Sequence, residues 1–200
     1  MLDTLWKFLP NPTSYEFAFQ YEDYYHRNDP STKKPFRFAS LEGLKHFYEK
    51  YKPLSIHILQ DDFLVFDIDK DDSVLCENHP TEKRMVCDDC WEKEIRPQLL
   101  GLLFFLKDLM SFKEVHVFDS GRRGVHVWAR VYEKWDKVAR TNILYQLEKR
   151  KITVDKGPLV GTAHLIKVPF LPHAVTGYLA QEIQRPETYL PNLRQKKSTK

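Results

Sequence analysis

Two aspartates stand one residue apart at the end of an apolar run, Leu64-Val65-Phe66-Asp67-Ile68-Asp69. In an extended strand Asp67 and Asp69 project from one face, roughly 6–7 Å apart along the backbone. Phe66 and Ile68 turn to the opposite face, toward a core. Two carboxylates at the end of a buried strand repel each other and are costly unless a cation lies between them. Oxygen ligands of this kind suit magnesium or manganese. The plainer alternative is a strand that ends in solvated acids, in keeping with Asp71 and Asp72 just beyond.

A second group is Ser120-Gly121-Arg122-Arg123-Gly124-Val125-His126. Gly121 and Gly124 let a tight backbone approach a ligand, and the two guanidiniums offer forked donors to phosphate oxygens. Ser120 adds a hydroxyl, and His126 opens the next strand on the face opposite Val125 and Val127. The order is not that of a Walker loop, and a plain basic hairpin is the competing reading. Asp155, His164, Lys167 and His173 follow later in the chain; singly, each reads as a strand-end acid or a satisfied core residue. The three cysteines and one histidine of Cys76-x2-His79-x7-Cys87-x2-Cys90 make a complete tetrahedral zinc set. With no open position for substrate, that site reads as structural, pinning a polar loop at about 70–91.

The elements that must carry these residues are legible in the hydrophobic periodicity. Tyr15, Phe17, Phe19 and Tyr21 alternate as one face of a strand. The first forty residues are otherwise expected to be irregular. Ser40 reads as the N-cap of a helix bearing Leu41, Leu44, Phe47, Tyr48 and Tyr51, stopped at Lys52-Pro53. Strands are predicted over 55–59, 63–69, 115–118 and 125–132. Helices are predicted over 91–110, where Pro97 either kinks the helix or starts a second one, and over 133–151. The apolar face of the latter is assigned to Trp135, Val138, Ile143, Leu144 and Leu147. The final third mixes short extended runs with Pro and Gly.

Composition sets the outer bounds. The chain has 200 residues, 42% hydrophobic and 30% charged, with 31 basic and 28 acidic residues for a net +3. This is an ordinary globular balance that permits a nucleic-acid partner without demanding one. The longest apolar run, Leu99–Leu106, falls well short of the ~20 residues of a membrane span. No secretory signal is visible, which points to the cytoplasm or nucleus. One α/β domain over 1–184 is the simplest organisation, followed by a basic tail at 185–200 that is either frayed or tracks phosphates.

In this order the motifs resemble the small catalytic subunit of archaeal and eukaryotic DNA primases. The correspondence rests on VFDID at 65–69, SGRRGVHVW at 120–128, and Asp155 followed nine residues later by HLIKVPFLPH at 164–173. Cys-x2-Cys-Trp at 87–91 resembles that family's zinc element. YEFAF at 15–19 and Arg37-Phe38-Ala39-Ser40 are similar to its N-terminal motifs. The resemblance runs from about residue 15 to 180. Tyr15 departs from the family pattern, which usually has Arg beside the Glu. Only about thirty residues separate the second motif from Asp155, where many relatives insert a helical region.

The resemblance implies an archaeo-eukaryotic primase fold: a mixed β-sheet core flanked by helices, with an RRM-like catalytic half and a zinc-binding loop. It implies that Asp67, Asp69 and Asp155 hold two catalytic Mg2+ or Mn2+ ions, roughly 3.5–4 Å apart, for in-line nucleotidyl transfer. Ser120, Gly121, Arg122, Arg123, Gly124, His126, Lys167 and His173 then surround the triphosphate, with His164 and Arg37 nearby and Glu16 in support. The implied partners are single-stranded DNA template, nucleoside triphosphates and a large subunit carrying an iron–sulfur domain. Two further readings are a repair polymerase that only extends existing ends and a non-catalytic, zinc-stabilised nucleic-acid-binding module.

Overall fold

The computed structural model describes residues 1–22, 24–59, 62–70, 86–109, 111–160 and 165–193. Cys76, His79 and His164 lie outside the described residues, as does the end of the basic segment from residue 194.

The first sheet has the order β2-β1-β3-β7, from strands β1 (Glu16–Tyr21), β2 (Tyr24–His26), β3 (Ser55–Leu59) and β7 (Leu165–Lys167). Helix α1 (Leu2–Phe8) precedes it, and α2 (Leu41–Tyr51) is inserted between β2 and β3. Ser40 caps α2 as expected, its hydroxyl accepting the Gly43 N–H at 3.2 Å, and Lys52 ends it in the left-handed region. Helix α1 replaces part of the irregular stretch expected near the N-terminus. Leu2, Leu5 and Leu9 give it a buried side at helical spacing.

The second sheet has the order β4-β6-β5, from β4 (Phe63–Asp69), β5 (Phe112–Asp119) and β6 (Gly124–Val131). Between β4 and β5 the chain runs through a short helix α3 (Asp88–Cys90), one π-helical turn (Trp91–Ile95) and α4 (Arg96–Leu109). Pro97 therefore sits at the second position of α4 rather than at a kink. The wider turn before it accommodates the ring and the missing N–H. Helix α5 (Lys137–Lys149) follows β6, starting later than expected because Asp136 caps it through the Ala139 N–H at 2.8 Å.

Every strand pair described is antiparallel, so two antiparallel sheets stand where a mixed sheet was expected. The reason lies in the connections. Helix α4 carries the chain from β4 across to a strand of the same direction, but the β5–β6 hairpin folds β6 back between them. The result is a split β-α-β arrangement.

Strand β4 is apolar on both faces. Leu64, Phe66 and Ile68 join Val125 and Val127 in a core beneath α4 and α5. Phe63 and Val65 join Trp128, Phe118, Ile56 and Ile58 in a second, aromatic-rich core beside the first sheet. On α5, Ile143, Leu144 and Leu147 are buried as expected, but Val138 is 68% exposed. It sits in the first turn, off the stripe that faces the sheet, while Trp135 precedes the helix and stacks on Phe112. Among the described residues no helix is long and apolar enough to cross a membrane.

Candidate active site

Alternation along β4 keeps Asp67 and Asp69 on the face of Phe63 and Val65, at the strand's open end. The β4–β6 register places Asp67 opposite His126 and Asp69 opposite Gly124. Asp155 reaches the same place from far along the chain: its N–H donates to the Asp67 carbonyl at 2.8 Å. No strand precedes Asp155. It stands just before a short helix α6 (Lys156–Val160), and its Oδ1 accepts the Gly157 N–H at 2.9 Å.

The loop between β5 and β6 is braced from inside. Ser120 Oγ accepts the Gly124 N–H at 3.2 Å, and buried Asp119 accepts the Gly121 N–H at 2.6 Å. Ser120 therefore shapes the loop as well as lining the cleft. Gly121 has φ +80°, and a Cβ there would lie 2.8 Å from the Tyr178 carbonyl oxygen. A Cβ on Gly124 would overlap the Ile68 carbonyl oxygen across the ladder. Both glycines are required by close backbone approach.

These elements enclose a cleft of about 560 Å³, lined by the acids Asp67, Asp69 and Asp155 and by the basic residues Arg122, Lys167 and His173. Ser120, Arg123 and His126 complete much of the expected set. Glu16 and Arg37 are not among the lining residues; they form an ion pair with each other at the start of β1. His57, Gly157 and Pro158 also line the cleft and were not singled out from sequence. For His57 the available signal was a polar residue between Ile56 and Ile58 in a short apolar strand, which carries no catalytic spacing of its own.

Electrostatically the cleft is under conflict. Burial, then the charges of Asp69 and Asp155, push the Asp67 carboxyl well above the usual range, with Arg123 opposing. Its Oδ1 is buried without a hydrogen-bond partner; His126 Nε2 is 3.6 Å away, beyond hydrogen-bond range. Burial also raises Asp69, although Arg123 holds it at 2.7 Å. Among the bases, burial and then the nearby Lys167 charge lower His126 and His57 to about 3 each. Burial lowers Lys167 to about 7, and its Nζ has no hydrogen-bond partner. His173 Nδ1 accepts the Val175 N–H at 3.1 Å, which leaves the ring proton on Nε2.

An orphaned buried carboxylate oxygen among hard oxygen donors fits a divalent cation. As the side chains stand, no three Asp, Glu, His or Cys groups among the described residues converge as a ready metal cage. Asp69 is drawn to Arg123 and Asp155 to its helix cap, so both must turn for the three to share an ion. Of the expected zinc ligands, Cys87 and Cys90 stand one turn apart at the start of α3, Cys90 buried in the core.

Comparison with solved structures identifies a fold neighbour: the polymerase domain of Mycobacterium tuberculosis ligase D, in complex with DNA. The TM-score is 0.63 at 13% identity, over 90% of this chain and 78% of that one. The chain has a polymerase-domain fold. No family model matches the sequence, and no curated protein matches it.

Proposed function

We propose that this protein is a metal-dependent nucleotidyltransferase that acts on a DNA template, and that it makes primers. The observation that carries the reading is the meeting of three carboxylates, Asp67, Asp69 and Asp155, with Arg122, Arg123, Lys167 and His173 in the lining of one cleft. The neighbour's fold, found in a polymerase domain bound to DNA, supports it.

Asp67, Asp69 and Asp155 would hold Mg2+ or Mn2+, which when bound makes a 3′-hydroxyl more nucleophilic and offsets triphosphate charge. The chain's own residues bind and orient the nucleotide. Arg122 and Arg123 present forked donors to phosphate oxygens. Arg123 can leave Asp69 for a phosphate when the carboxylate is wanted elsewhere. Lys167 is poised near neutrality and gains charge beside an anion, so it both holds the polyphosphate and can supply a proton to departing pyrophosphate. His173 Nε2 is a further donor. Structural zinc at Cys76, His79, Cys87 and Cys90 belongs to this reading, as does a large subunit with an iron–sulfur domain.

A second reading has specific support. The fold neighbour is part of a ligase, which favours a repair polymerase that extends existing ends. The test is incorporation of labelled nucleotide with manganese on unprimed and on primed single-stranded DNA, beside an Asp67→Ala/Asp69→Ala control. Products on unprimed template, absent in the control, support primer synthesis. Extension of primed template alone, unchanged by a large subunit, favours the repair reading. Activity surviving in the control overturns both.

A further inference from the structure

The edge strand β2 divides its side chains between two places. Tyr25 meets His57 edge-on, ring centroids 4.9 Å apart, and His57 lines the cleft. Tyr24 and His26 point to the other face, as alternation requires. There they line a second cavity of about 280 Å³ together with Tyr21, Phe36, Phe47 and Tyr51.

The floor of this cavity belongs to the core: Phe36 is buried and packs on Phe47 at 5.1 Å. Its walls do not. Tyr24 is 54% exposed and Tyr51 49%. Tyr21 and Tyr24 lie nearly parallel, 6.0 Å apart, and His26 stands edge-on to both. The volume is just below the roughly 300–1,000 Å³ of drug-sized sites and has room for one planar ring system. Tyrosine hydroxyls and His26 give the site polar groups that an apolar side chain could not use.

Exposed Arg27, Lys33, Lys34, Lys50 and Lys52 adjoin the lining residues in the chain, and Lys50 Nζ lies 5.1 Å from the Tyr51 ring centroid. Asp29 is turned into its own loop, accepting from the Ser31 and Thr32 N–H groups. Glu22, Asp23 and Glu49 are also near in sequence, so the ionic component is modest and stacking must dominate.

We propose that this aromatic pocket seats an unpaired nucleobase of the single strand that runs past the cleft, reached across β2 by way of Tyr25. The choice of occupant rests on the reading of the cleft as acting on a DNA template. Stacking on exposed aromatic rings is tolerant of base identity, as a template-reading protein requires.

The test uses the full chain, in chelator and without triphosphate, with a labelled single-stranded oligodeoxynucleotide containing 2-aminopurine. Wild-type protein should bind it and quench the 2-aminopurine. Tyr24→Ala/Tyr51→Ala should weaken binding roughly ten- to a hundredfold, and Tyr24→Phe/Tyr51→Phe should restore it. Asp67→Asn/Asp69→Asn should lose incorporation yet still bind the oligonucleotide and quench 2-aminopurine, so that failure of the cleft reading and failure of the pocket are read separately. Wild-type affinity in the alanine variant, unquenched 2-aminopurine on wild-type protein, or competition by an apolar peptide but not by unlabelled oligonucleotide would overturn the proposal.

Discussion

Asp67 is a residue the fold carries at a cost. Its carboxyl is buried, flanked by Asp69 and Asp155, and lacks a hydrogen-bond partner at Oδ1. Its folded-state pKa is raised, so the unfolded state ionises first as pH climbs through the carboxylate range. Stability is lost over that interval and stays lost at neutral pH. Asp67→Asn, measured in chelator, should raise Tm by a few degrees near pH 7, with the gain shrinking in acid, while abolishing nucleotide incorporation. His57 and Lys167 work in the other direction. With His57 at about 3 in the folded protein, stability should fall as pH drops from about 6.5 toward 3. With Lys167 at about 7, it should rise between about 7 and 10.4. Denaturant titrations across pH should show His57→Gln flattening the acid limb and Lys167→Met the alkaline one.

At the level of elements, the β5–β6 loop depends on how closely β4 and β6 approach. Gly124→Ala drives a methyl into the Ile68 carbonyl, and overpacking of backbone costs at least about 1–3 kcal/mol. Chemical denaturation should show that loss, with impaired incorporation because Asp69 and Arg123 flank the same contact. Gly43 is the contrasting case. A Cβ there meets Ser40 Oγ at 3.6 Å and Phe38 at 3.8 Å, ordinary contact within α2, so Gly43→Ala should stabilise by about 0.5–1 kcal/mol. Much of this element scale was readable beforehand. Alternation in 63–69 and 125–132 and the Ser40 cap are local signals, and the strands and helix they predict are present to within a residue at either end. Periodicity alone predicts too early a start for α5, because Trp135 continues the apolar spacing although it packs on Phe112 from outside the helix.

Over the whole molecule, the segment after residue 184 is tied to the site it follows. Tyr189 donates its hydroxyl to Asp119 at 2.6 Å, packs its ring on Trp91 at 5.2 Å, and accepts Arg96 at its carbonyl, 2.9 Å away. As far as residue 193, this stretch is docked rather than frayed. Asp119 in turn holds the Gly121 N–H, so the docked segment braces the β5–β6 loop from behind. Tyr189→Phe removes a hydrogen bond to an ionisable group and should cost about 1.5–3 kcal/mol. Thermal unfolding should report that loss, and the KM for nucleoside triphosphate should rise more than kcat falls. An unchanged KM would show that the brace does not reach the loop.

By itself the sequence determined which residues could meet on a face. Side-chain period and spacing set Asp67 beside Asp69, His126 opposite Val125 and Val127, and glycines where two strands turn. It could not say that Asp155 joins them through a hydrogen bond to the Asp67 backbone, because that contact closes a long loop. Nor could it place His57, whose only local mark is one polar residue in an apolar strand, or set Glu16 and Arg37 apart as a pair outside the cleft lining. The charge states of the cleft belong wholly to the tertiary structure. They depend on how much water is excluded and on which distant charges are packed together, and neither quantity is carried by neighbours in the chain.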